Sequence, residues 1–189
     1  MSKPNIALIG LGLIGSSLGH ALKKNGLAAH VSGYARSAET RARALDIGFV
    51  DSVHETAQEA SIDADLVFFN TPLSVIKELA EEIIPGLKDN AILTDVGSVK
   101  AGVLKELTPL LDRRIHFVPG HPIAGTEQSG PDAGFAELFE GRWCILTPDE
   151  NTSLIAVEEV SKLWRGMGSD VTFMDADHHD LVLAITSHL

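Results

Sequence analysis

Two short polar segments carry most of this chain's capacity for chemistry. His121 stands in Pro119-Gly120-His121-Pro122-Ile123-Ala124-Gly125-Thr126-Glu127-Gln128-Ser129-Gly130-Pro131, and Ser98 and Lys100 stand in Thr94-Asp95-Val96-Gly97-Ser98-Val99-Lys100. A histidine between glycine and proline is predicted on a stiff, exposed turn. An imidazole with its ordinary pKa near 6.5 suits a proton acceptor at neutral pH. Oxidising an alcohol by hydride transfer requires the hydroxyl proton to leave as the hydride goes, and a histidine within hydrogen-bond reach of that oxygen takes it. The competing reading is a loop histidine that bonds only backbone. Ser98 is read either as the N-cap of the helix that follows or as a ligand that orients a substrate hydroxyl against His121. Lys100 reaches a phosphate, a carboxylate or only solvent. Thr126 and Glu127 lie in the same loop as His121. Glu127 either positions a water or orders a carboxylate network, or it is a solvated loop acid. His178-His179 does not read as a metal site, because adjacent helical positions point about 100° apart. Asp180, Leu183, Ala184 and Ser187 share one helical face, which places Ser187 toward a ligand if that face lines the crevice.

A second constellation sits at the start of the chain. The apolar run Ile6-Ala7-Leu8-Ile9 leads into Gly10-Leu11-Gly12-Leu13-Ile14-Gly15 and then into a helical segment. Strand, glycine turn and helix in that order form a dinucleotide-binding unit: Gly10 permits the turn, Gly12 lets backbone approach a pyrophosphate, and Gly15 lets helix and strand pack closely. The amino end of the helix, with Leu13 and Ile14, then presents free N–H groups to phosphate. Thr71-Pro72 and Gly97, which follow later strands, complete the expected cofactor site. An NAD site keeps an acid about 20 residues past the glycines to bond the ribose 2′-hydroxyl. Here Ala35 occupies that place, followed by Arg36 and Ser37, with Arg41 and Arg43 further on. A cation with hydroxyl donors suits a 2′-phosphate, so the reading favours NADP over NAD. The alternative is that Arg36 is solvated, or that Glu39 serves a 2′-hydroxyl by another path.

The elements that must hold these residues follow from apolar periodicity. Strands are predicted over 5–9, 30–34, 65–70, 91–94, 115–118, 142–147 and 170–173. Helices are predicted over 14–25, 38–46, 73–84, 99–111 and 154–167, and a last one starts near Asp175 with that carboxylate as its cap. Apolar strands alternating with helices imply a parallel sheet covered on both faces. Residues 119–131, with three prolines and three glycines, are predicted as an irregular loop at a strand's carboxyl end, where open α/β sheets bind ligands. The domain division expected is 1–174 for the NAD(P)-binding unit and 175–189 for the start of a helix that leads into further chain.

Composition bounds the function. Of 189 residues, 44% are hydrophobic and 22% charged, an ordinary globular balance. A formal charge of −11 with only 5% aromatic residues argues against nucleic-acid binding. No apolar run reaches membrane-spanning length, and the first residues do not read as a secretory leader. The single cysteine, Cys144, leaves no internal disulfide or thiolate metal cage and reads as a buried small hydrophobe. A cytoplasmic setting fits.

Taken together, GLGLIGSSLG, TDVGSVK, GHPIAGTEQSGP and ITSHL resemble the prephenate/arogenate (cyclohexadienyl) dehydrogenases of tyrosine biosynthesis, over nearly the whole chain. The resemblance implies a Rossmann-type, doubly wound α/β domain of the 6-phosphogluconate-dehydrogenase-like kind, followed by a helical domain that makes a homodimer. It implies oxidative decarboxylation of prephenate or arogenate with hydride transfer to NAD(P)+. His121 then accepts the hydroxyl's hydrogen bond, Ser98 assists, and Thr126, Glu127 and Ser187 lie beside the substrate. It also implies that this stretch alone binds cofactor with little turnover. The rival readings are a β-hydroxyacid-type dehydrogenase or imine reductase, and a non-catalytic NADP sensor.

Overall fold

The computed structural model describes residues 3–186. Its first half alternates strand and helix: β1 (Asn5–Ile9), α1 (Leu13–Lys24), β2 (His30–Tyr34), α2 (Ala38–Ile47), β3 (Ser52–His54), α3 (Ala57–Ser61), β4 (Leu66–Phe69), α4 (Leu73–Ile83), β5 (Ile92–Asp95), α5 (Ala101–Leu107) and β6 (His116–Val118). The strands form one parallel sheet in the order β3-β2-β1-β4-β5-β6. That order reverses beside β1, which places a crevice at the carboxyl ends of β1 and β4. Side chains alternate between two cores, as strands covered on both faces require. Ile6, Leu8 and Phe68 pack toward Leu18, Phe139 and Trp164, while Ala7, Ile9, Val67 and Phe69 pack toward Ile76, Ala80, Ile83 and Val103.

The expected parallel α/β architecture is what the chain adopts, and most element bounds agree within a residue or two. Asp175 does cap the last helix: its Oδ1 accepts from the amides of Asp177 and His178. Two elements of this first half were absent from the sequence reading. β3 is three residues of Ser-Val-His at a sheet edge, too short and polar to show alternation. α3 is five residues, yet Thr56 and Glu59 form a reciprocal capping box at its start, a T-x-x-E signal that was there to be read. The helix expected over 99–111 is shorter. It begins at Ala101, because the preceding residues wrap around Asp95, and turns 3-10 at Thr108–Leu110, where Pro109 lacks an N–H.

The second half departs further from expectation. Residues 119–131 are not wholly irregular: β7 (Gly120–Pro122) pairs antiparallel with β8 (Trp143–Leu146), which pairs parallel with β9 (Asp170–Phe173). These form a separate three-stranded sheet in the order β7-β8-β9. Pro122 is tolerated because β7 is an edge strand. α6 (Leu154–Gly166) links β8 to β9, and α7 (Ala176–Thr186) follows. Trp164 of α6 meets Phe68 and Phe139 edge-on, at 5.9 Å and 5.2 Å between ring centres. These contacts tie the small sheet's connection to the main one. Cys144 is buried and free, as expected, and burial pushes its thiol pKa up.

Candidate functional site

The glycine turn is built by contacts that a side chain would destroy. Gly10 sits at φ +105° and donates its amide to Tyr34 O at 2.9 Å. A Cβ there would come within 2.6 Å of Asn70 O, and one on Gly15 within 2.0 Å of Gly10 O. Gly12, by contrast, faces open space and is the N-cap of α1, with no side chain closing the helix end. The result is a cleft of about 1050 Å³ lined by Gly10, Gly12, Arg36, Ser37, Thr71 and Pro72, among others. Asn70 Oδ1 and Thr71 Oγ1, both buried in its wall, have no hydrogen-bond partner among the described residues. Free helix N–H groups, a backbone stripped of Cβ atoms and unpartnered polar atoms fit a dinucleotide.

The remaining expected cofactor residues are placed differently. Leu13 and Ile14 begin α1 and pack against the core, and Gly97 lies beyond β5, outside the lining of this cleft. Ser37 lines the cleft and also caps α2, accepting from Thr40 N. Arg41 bonds the carbonyls of Ala35 and Arg36, and Arg43 pairs with Asp46 and Asp132, so neither stands free as a phosphate ligand. Arg36 is exposed, and among the described residues no carboxylate pairs with it. Glu39 is exposed and lies outside the cleft lining.

The other half of the site grows from the end of β5. Asp95 is wholly buried. Its Oδ2 accepts from Gly97 N at 2.9 Å and its Oδ1 from Gly120 N at 3.2 Å. Lys100, also wholly buried, bonds Asp95 through Nζ and donates to Gly120 O at 2.7 Å. Of the three partners open to Lys100, phosphate, carboxylate or solvent, it takes a carboxylate, and that carboxylate is the protein's own Asp95. Burial pulls the Lys100 ammonium pKa down and the Asp95 pKa up, each opposed by the other's charge. One ion pair therefore ties the Ser98 segment to the strand that carries His121. β4 and β5 are paired, with Phe69 opposite Asp95, so the cleft wall at Asn70–Pro72 and this clamp leave the sheet side by side, about 4.8 Å apart.

His121 is on β7, half-buried, rather than on an exposed turn. Its Nδ1 lies 2.9 Å from His179 Nε2, and His179 Nδ1 lies 2.8 Å from Asp180 Oδ1. The two rings meet at 70° with centres 5.1 Å apart. Burial, then the neighbouring His179 ring, then the Lys100 ammonium lower the His121 pKa to about 4, against a weaker opposite pull from Asp180. Burial also opposes ionisation of Asp180, but bonds from the Lys100 amide, His179 and the Ala101 amide outweigh it and hold that carboxyl low. Asp180 Oδ1 accepts from Lys100 N at 2.8 Å and Oδ2 from Ala101 N at 3.0 Å. The cap of α5 is thus a carboxylate from α7, and the reading of Ser98 as that cap is wrong.

His179 was missed from the sequence, where the His178-His179 pair was weighed only as a metal site. Among the described residues no group of three His, Cys, Asp or Glu side chains is arranged to hold a metal. Ser98 is exposed next to the clamp. Thr126 and Glu127 are exposed in the loop after β7, where Thr126 Oγ1 accepts from Gln128 N, and no described bond joins them to His121. Gly130 and Pro131, at the far end of that loop, line the cofactor-type cleft, so one segment runs from His121 to the cleft wall. Ser187 lies outside the described residues. Among the described residues no helix is long and apolar enough to cross a membrane.

Comparison with known proteins identifies the architecture. Residues 18–173 match the family described as prephenate dehydrogenase, nucleotide-binding domain. The chain is 46% identical over 187 residues to the cyclohexadienyl dehydrogenase of Zymomonas mobilis subsp. mobilis, covering 98% of itself and 63% of that protein. It superposes with TM-score 0.92 and 32% identity on the prephenate dehydrogenase from A. aeolicus solved in complex with hydroxyphenyl propionate and NAD+, covering 100% of this chain and 65% of that one. Synechocystis arogenate dehydrogenase gives TM-score 0.90 and 31% identity, covering 97% of this chain and 64% of that one. The chain spans just under two thirds of the length of each of these.

Proposed function

The chain belongs to the prephenate dehydrogenase family, and we propose that it is the nucleotide-binding and proton-accepting part of an enzyme that oxidatively decarboxylates prephenate, arogenate or both. One observation carries this reading. The Asp95–Lys100 clamp fixes the segments of Ser98 and His121 at the sheet edge beside the wall of the glycine cleft.

The cleft would hold a nicotinamide dinucleotide, with Gly10, Gly12 and the amino end of α1 at its pyrophosphate. Thr71 and Pro72 stand along its wall and Arg36 and Ser37 at its ribose end. A bound oxidised nicotinamide supplies the hydride acceptor. His121, neutral at physiological pH, accepts the proton of the substrate's ring hydroxyl as the carbon bearing it gives up hydride. The carboxylate on the ring then leaves as carbon dioxide, its bonding electrons completing the aromatic ring. Ser98, exposed beside the clamp, orients the hydroxyl. Thr126, Glu127 and Ser187 belong to the substrate side of the same proposal. Arg36, with no carboxylate where a 2′-hydroxyl partner would stand, supports a preference for NADP over NAD. Cofactor binding is assigned to residues 1–174, and the contacts of His179 and Asp180 support counting the first turns of α7 with the site. Pairing of two copies, which the family resemblance implies, is part of this reading.

The test is a steady-state assay of the intact protein, crossing prephenate and arogenate with NAD+ and NADP+. Turnover of at least one substrate, with NADP+ preferred, is expected. No turnover in any of the four combinations would overturn it.

A further inference from the structure

The hydrogen-bond chain from His121 through His179 to Asp180 has a direction, and the direction determines which nitrogen of His121 can act. Asp180 is held ionised by two backbone amides, so at its end of the chain it can only accept. His179 must therefore carry its proton on Nδ1 and donate it to Asp180 Oδ1 across 2.8 Å. In the neutral ring the other nitrogen, Nε2, is then an acceptor. The His121 Nδ1 that lies 2.9 Å from it must be the donor, which leaves a lone pair on His121 Nε2.

We infer that His179 and Asp180 are positioning residues for the reaction: through this chain they hold the His121 ring in one orientation and one tautomer, with Nε2 unprotonated and free to accept a proton. The inference rests on the reading of His121 as proton acceptor. The chain matters because nothing else described bonds His121 Nδ1. An unanchored imidazole can turn about its side-chain bonds and place its proton on either nitrogen, and a ring with Nε2–H offers no lone pair there. The groups facing His121 are the Lys100 ammonium from the amino end of α5, and His179 and Asp180 from α7. The lysine charge opposes the imidazolium that forms when the proton arrives. Asp180, reached through His179, is the compensating charge on the far side. α7 thereby acts at two places through adjacent residues, since the carboxylate that fixes His179 also caps α5, two residues beyond Ser98.

Ring-nitrogen NMR on isotope-labelled histidine reads the tautomer directly, without any turnover. In the 189-residue chain near neutral pH, His121 is expected to show a protonated Nδ1 and a bare Nε2. His179→Leu, which removes the acceptor, should release the ring and bring in the Nε2–H form. His179→Gln, whose amide can face Asp180 with its NH₂ and His121 with its oxygen, should restore the native pattern. In the intact protein His179→Leu should lower kcat about 10- to 100-fold with KM little changed, and His179→Gln should recover part of the loss.

A wild-type His121 protonated on Nε2, or a folded His179→Leu with the native tautomer and native kcat, overturns the inference. If His179→Leu does not fold, the wild-type tautomer and the His179→Gln kinetics still decide. A native tautomer that depends on His179, together with full turnover by His121→Ala, would sink the proton-acceptor reading and leave the positioning intact.

Discussion

Lys100 Nζ and the Asp95 carboxylate are bonded to each other with neither side chain exposed to solvent, and both also bond the backbone around Gly120. Such a pair contributes little over an apolar substitute of the same shape, but removing one member strands the other's charge. Lys100→Met should therefore destabilise the chain by about 3–5 kcal/mol, read as a lower urea midpoint at unchanged slope. Because the pair anchors β7, the same variant should lose order at His121 before it loses the main sheet. Uniform protection from hydrogen exchange across β7 in Lys100→Met would contradict this.

Why the pair was only half legible is instructive. Asp95 ends an apolar strand and Lys100 follows five positions on, so proximity was available from the sequence. Burial was not, since lysine and aspartate are seldom fully enclosed. His121 stood out because glycine and proline bracket it, yet the same residues read as a turn, and only the pairing with Ile145 across β7 and β8 shows a strand. His179 had no local signature. It lies 58 positions from its partner, and long-range pairing leaves no trace in periodicity. The parallel sheet, by contrast, was readable because each of its long strands carries its own apolar run. β3, with three polar-leaning residues, carries none.

Replacing His121 by alanine removes the group proposed to take the hydroxyl proton and leaves the cleft at Gly10–Gly15 untouched. In the intact protein, His121→Ala should lose roughly 10²-fold or more in turnover. Cofactor affinity, measured by calorimetry or fluorescence quenching, should be unchanged. Parallel losses in turnover and cofactor binding would place His121 in the nucleotide site instead.

Stability should depend on acidity through the same ring. Above its ordinary pKa near 6.5, His121 is neutral in both folded and unfolded chains and contributes nothing to the dependence. Below that, the unfolded chain binds a proton that the folded chain refuses until about pH 4. Stability is therefore lost as pH falls from about 6.5 to about 4. His20, also lowered by burial, adds in the same direction. Urea unfolding of the wild type at intervals through this window should show the fall, and His121→Gln should flatten it in part. An identical slope in the two proteins would mean that the native ring titrates like a free one.

Arg36 offers the most direct handle on cofactor choice. It lines the cleft after β2, is exposed, and has no carboxylate partner among the described residues, while Arg41 and Arg43 are already engaged. A 2′-phosphate bonded by this guanidinium gains a charge-assisted hydrogen bond worth about 1.5–3 kcal/mol. Arg36→Asp removes that bond and sets a negative charge where a ribose 2′-hydroxyl could donate to it. The ratio of kcat/KM for NADP+ over NAD+ should then fall roughly 10- to 100-fold, most of it as a rise in KM for NADP+. Arg36→Gln, which removes the charge without adding one, should fall between the two. If both variants leave the ratio unchanged, the 2′ position is read elsewhere, and the absence of an acid at Ala35 carries no information about the phosphate.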